Sequence, residues 1–106
     1  QQKGGVDVSD LRTPEVEDLL TVLAGIEKND DAYALLEDLF TVREIKDISQ
    51  RLSVARLLKE GKSYTSIEQL TGASATTIAR VSKALNYGSG GYRVALELLH
   101  VSEDVG

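Results

Sequence analysis

The residues of this chain best suited to chemistry lie between Thr65 and Leu85, in the run TSIEQLTGASATTIARVSKAL. Thr76, Arg80 and Lys83 recur at helical spacing there, opposite Ile78, Val81 and Leu85. One face is therefore short, polar and cationic, and the other is apolar. Hydroxyls and methyls of this size can approach base edges closely, and the cations can neutralise phosphates. That is the chemistry of a DNA recognition helix, not of bond breaking. The sequence offers no nucleophile elbow, no phosphate-cradling glycine loop and no metal cluster. It has no Cys and one His, His100, which reads as structural or as a cation at a helix end. The glycines of NYGSGG follow a helix and not a strand, so they fail the context of a dinucleotide site. No catalytic residue, metal or cofactor is expected, and the chain reads as a non-enzyme.

The elements around this run must place it. Thr65 with Glu68 reads as a capping box opening a first short helix. Gly72 suits the sharp corner in LTGAS, because only glycine takes a left-handed backbone without steric cost. Ser74 then caps the second helix. Upstream, Thr13-Pro14 opens a helix with Val16, Leu19, Leu20 and Leu23 on one face. Asn29-Asp30-Asp31 is expected to cap the next, which carries Ala32, Leu35, Leu36, Leu39 and Phe40. Thr41 with Glu44 is a second capping box, opening a long helix to about Glu60 with Gly61 as its stop. Its apolar residues spread over a wide arc, which predicts a central helix packed on several sides. Asn86 to Gly91 reads as a loop, followed by a last helix through Tyr92, Ala95, Leu96 and Leu99. The expectation is six helices with no strands.

Length and composition are consistent with this. A 106-residue chain with 42% hydrophobic residues can build one core. Residues 1–10 read as a disordered leader, 11–100 as the folded domain and 101–106 as an acidic tail. No apolar run approaches the ~20 residues of a bilayer span. The lack of cysteine fits a cytoplasmic protein. The net charge of −5 argues at first against nucleic acid. Its distribution reverses that: residues 1–40 carry −7, residues 41–93 carry +5 and residues 94–106 carry −3. The basic segment is the one holding the corner, and phosphate binding depends on local charge.

Two longer stretches carry a resemblance, LFTVREIKDISQRLSVARLLKEGKSY and TGASATTIARVSKALNYGSGGY. Together they resemble the Trp repressor family, most closely its shorter, TrpR-related branch of the YerC/YecD type. The likeness spans roughly Leu11 to His100. It implies an all-α, six-helix helix-turn-helix domain forming an intertwined homodimer. It further implies a bacterial transcriptional repressor whose partners are double-stranded DNA and a second copy of itself, with half-sites ~34–36 Å apart. By position, the DNA-facing residues would be Ala75, Thr76, Thr77, Ala79, Arg80 and Lys83, with Lys62 and Tyr64 as phosphate contacts. The family's amino-acid pocket maps to Thr41, Arg51, Arg80, Val81 and Ala84. Val81 stands where tryptophan-sensing members have glycine, and Ala84 where they have serine. Added bulk and a lost hydroxyl predict that free tryptophan is not the effector. Glu68 departs from the small residue usual beside such a corner. Two other readings stay open: an interaction module that has lost operator recognition, and a regulator gated by another small molecule.

Overall fold

The computed structural model describes residues 11–100. The leader and the acidic tail lie outside the described residues. Six helices and no strands occur among them: α1 (Pro14–Gly25), α2 (Asn29–Leu39), α3 (Val42–Lys59), α4 (Tyr64–Thr71), α5 (Ala75–Tyr87) and α6 (Gly91–Leu98). They sort into two compact units divided between Phe40 and Thr41.

The first unit contains α1 and α2. Pro14 occupies the first helical position, and the Thr13 hydroxyl accepts from the Val16 amide at 3.3 Å. Arg12 pairs with Glu17 just beside that cap. The cap of α2 differs from expectation. Asn29, Asp30 and Asp31 are already helical, because extended Lys28 takes the cap position without a side-chain bond. The two aspartates support the helix through its dipole instead. Neither helix buries a residue: Leu20, Leu23 and Leu39 are all exposed.

The second unit is built around α3. The Thr41 hydroxyl accepts from the Glu44 amide at 3.1 Å, and Glu44 Oε1 accepts from the Thr41 amide at 2.9 Å. The expected capping box is therefore complete in both directions. α3 packs against α4, α5 and α6. Its Val54 and Ala55 are fully buried and meet Ile67, Ala73, Ile78, Val81, Leu85 and Leu96 in one core. Central placement follows from the wide apolar arc, since a helix apolar on several sides needs several partners.

The loop after α5 is shorter than the sequence suggests. Asn86 and Tyr87 belong to α5, because the Gly88 amide still bonds the Ala84 carbonyl at 2.9 Å. The chain turns at Gly88, where a side chain would place its Cβ 2.5 Å from that carbonyl oxygen. Close approach, not positive φ, explains the glycine. Gly88→Ala should cost about 1–3 kcal/mol in urea unfolding through the forced backbone shift. At the other end of α6, His100 is exposed, left-handed (φ 58°) and bonded through its amide to Glu97.

Candidate nucleic-acid interface

α4, the corner and α5 form a helix-turn-helix whose two caps and turn are all satisfied locally. Ser63, not Thr65, caps α4: its hydroxyl accepts from the Ser66 amide at 3.1 Å. Thr65 and Glu68 therefore make no capping box, because the helix begins one residue earlier, at Tyr64. Gly72 closes α4 at φ 78°, ψ 2°, donating its amide to the Glu68 carbonyl at 2.9 Å. Glu68 thus sits beside a regular left-handed corner. Thr71 reinforces the turn, donating its hydroxyl to the Ile67 carbonyl at 2.7 Å and accepting from the Ala73 amide at 3.1 Å. Gln50 of α3 donates to the Thr71 carbonyl at 3.1 Å, which ties the corner to the central helix. Ser74 caps α5 by accepting from the Thr77 amide at 3.1 Å.

α5 is anchored on one side only. Ile78, Val81 and Leu85 are buried, at 0%, 1% and 8% exposure. Ala75, Thr76, Ala79, Arg80, Lys83 and Ala84 are exposed. The expected division into an apolar back and a polar, cationic front is present. Arg80, Lys83 and Lys62 make no ion pair among the described residues, so their charge projects outward. Lys62 and Tyr64 are exposed at the start of α4. Thr77 differs from its neighbour Thr76. It is half-buried, and its hydroxyl accepts from Ser74 Oγ at 3.2 Å, so it serves the cap.

One exposed residue on this front reads from the sequence as a packing or dimer-contact residue beside the glycine loop, not as one of the DNA-facing residues. Tyr87 is 84% exposed and lies four, seven and eleven residues after Lys83, Arg80 and Thr76, on the same stripe. That spacing was readable, but the glycines after it suggested a loop in place of a last helical turn. Tyr92, its counterpart across the loop, packs against the core.

Comparison with known proteins identifies this architecture. A model of the Trp repressor protein family matches residues 14–100. This chain belongs to the Trp repressor family. It is 39% identical over 98 residues to the uncharacterized protein YerC of Bacillus subtilis (strain 168), covering 92% of this chain and 94% of that protein. The fold is similar to that of a protein provisionally named a Trp repressor from Staphylococcus aureus. There the TM-score is 0.84 and the identity 35%, over 92% of this chain and 98% of the other. A TrpR-like protein from Eubacterium eligens ATCC 27750 matches with a TM-score of 0.81 and 41% identity, over 87% and 95% of the two chains. Family membership points to a helical DNA-binding regulator.

Of the residues mapped to the family's ligand pocket, one lines a groove of the second unit. Ala84 lines a groove of about 370 Å³ with Leu52, Ser89, Gly91, Tyr92 and Ala95. Thr41, Arg51, Arg80 and Val81 do not line it. The Thr41 hydroxyl is engaged in its capping box. Arg51 is half-buried on α3, whereas Arg80 is exposed on α5. Val81 lies in the core, so its volume fills the interior beneath α5 and presents no surface to a ligand.

Proposed function

We propose that this chain is a homodimeric, sequence-specific DNA-binding protein that acts as a transcriptional repressor and has no enzymatic activity. The observation that carries this reading is the exposed stripe of Thr76, Ala79, Arg80 and Lys83 on a helix locked to the core by Ile78, Val81 and Leu85. In this reading the first two turns of α5 enter the major groove, and Thr and Ala methyls meet thymine methyls. Lys62, Tyr64 and Lys83 hold phosphates. Short side chains without a bidentate guanine reader imply modest specificity per half-site, which pairing of two copies would multiply. The exposed leucines of α1 and α2 support that pairing, since helices that bury no stripe alone can bury it against a second copy.

A gel shift on genomic fragments at graded salt tests the reading, with sedimentation to establish the dimer. Binding should be tight at low salt and fall steeply as salt rises. A pure dimer that binds no fragment at low salt overturns this reading in favour of a helical interaction module.

Free tryptophan is not the effector in this reading. Val81 occupies the interior where tryptophan-sensing members carry glycine, and Ala84 offers no hydroxyl to a polar ligand end. A thermal-shift titration with L-tryptophan should leave the midpoint unmoved. A saturable rise refutes the pocket argument.

A further inference from the structure

A polar concavity of about 380 Å³ lies between α3 and the helix-turn-helix corner. Lys46, Ser49, Gln50 and Ser53 of α3 line it together with Thr71, the last residue of α4. The four α3 positions recur at intervals of three and four, so they share one face of that helix. No carboxylate lines the concavity. Asp47 is turned about 100° around α3 from Lys46, and Glu44 is engaged in its capping box with Thr41. Lys46 makes no ion pair among the described residues. The bond from the Gln50 amide to the Thr71 carbonyl, 3.1 Å long, holds the back wall rigid. Lys46, Ser49 and Ser53 are exposed in front of it. The Ser49 hydroxyl donates to the Lys46 carbonyl at 3.1 Å, whereas the Ser53 hydroxyl makes no hydrogen bond among the described residues.

We propose that this concavity holds a backbone phosphate of the DNA duplex, an assignment that rests on the DNA-binding reading and extends it to α3. Lys46 supplies the point charge and Ser53 the hydroxyl donor. Thr71 precedes Ser74, the cap of α5, by three residues, so at most ~10 Å of chain joins the concavity to the tip that enters the groove. With that tip inside a major groove about 12 Å wide, a flanking strand passes close to the concavity. Lys62 stands at the other end of α4, about 12 Å away along its eight residues. Cations at both ends suit a helix that lies across the backbone. A diester phosphate needs one charge and a donor or two, and every residue lining the concavity is polar. A small-molecule ligand fits less well, because such sites are lined mainly by apolar and aromatic side chains. Contacts of this kind set the register of a protein on the duplex, so Lys46 and Ser53 would set the angle at which α5 enters the groove.

Fluorescence anisotropy of the full chain on a fragment recovered by the gel shift, over a salt series, tests the proposal. Lys46→Gln should weaken binding about eightfold near 0.1 M salt and flatten the slope of log affinity against log salt by about 0.9. Lys46→Arg should keep both at the wild-type values. Ser53→Ala should weaken binding about fivefold with the slope unchanged, since a hydroxyl releases no counterion. Arg56→Gln, on α3 but outside the concavity, should move neither quantity. Thermal melts report folding and should be unaltered, because Lys46, Ser53 and Arg56 are all exposed. An unchanged slope in Lys46→Gln overturns the proposal. Equal flattening by Arg56→Gln overturns it too, because the general field of the unit would then account for the effect. Saturable calorimetric binding of inorganic phosphate without DNA, abolished in Lys46→Gln, overturns it in favour of a free-anion site. A wild-type chain that binds no fragment at low salt overturns the DNA-binding reading together with this one, whereas wild-type binding with an indifferent Lys46 overturns this one alone.

Discussion

Alanine at Ile78 should lower the stability of the chain by about 2–5 kcal/mol. Ile78 is fully buried on the inner face of α5, among Val54, Ala55, Ile67, Val81 and Leu85. Its truncation removes the transfer energy of the lost methyl and methylene groups and leaves a void that close-packed neighbours fill only in part. The whole stability of a domain this size is about 5–15 kcal/mol, so the loss is a large share of it. Urea unfolding followed by far-ultraviolet dichroism should show a lower midpoint with an unchanged slope. A change under 1 kcal/mol would mean that α5 is not held by this core. DNA binding by the remaining folded molecules should keep its sequence preference, because Ile78 touches no part of the exposed front.

The double variant Arg80→Ala, Lys83→Ala should do the reverse. Both side chains are exposed and without ion pairs among the described residues, so folding stability should change by less than about 0.5 kcal/mol. Binding should suffer instead. Each phosphate contact contributes about 0.9 to the slope of log affinity against log salt. Loss of two contacts should flatten the slope by about 1.8 and, near 0.1 M salt, weaken binding about 60-fold. Fluorescence anisotropy over a salt series measures both quantities. An unchanged slope with normal folding would show that this stripe does not face a phosphate backbone. The two variants separate the roles of the two faces of one helix: one face sets whether α5 is in place, the other what it does there.

Several features of this site were legible in the linear chain because they are made within four residues. The Thr41–Glu44 box, the Ser74 cap and the left-handed turn at Gly72 each close a hydrogen bond between near neighbours. Residue type and spacing are enough to specify such bonds. The same locality explains the misplaced caps. Ser63 and Thr65 are both competent N-caps two residues apart. Local chemistry permits either start, whereas packing of Ile67 into the core sets the phase of α4. Propensity could not separate them, because capping energies differ little among Ser, Thr, Asn and Asp.

The sequence by itself determined that the described residues form six helices, that the net positive charge lies in the segment 41–93 that holds the helix-turn-helix, and that α5 has an apolar back and a cationic front. Periodicity and composition carry that information, since they depend only on the order of residues along one element. The tertiary structure alone decided which side chains from different helices meet. Gln50 reaches the Thr71 carbonyl across 21 positions, Val81 goes to the interior, Gly88 presses against the Ala84 carbonyl, and Lys46, Ser53 and Thr71 share one concavity. These juxtapositions follow from how α3, α4 and α5 cross. Crossing is set by the fit of side-chain ridges and grooves over the whole contact, which no single stretch of sequence contains.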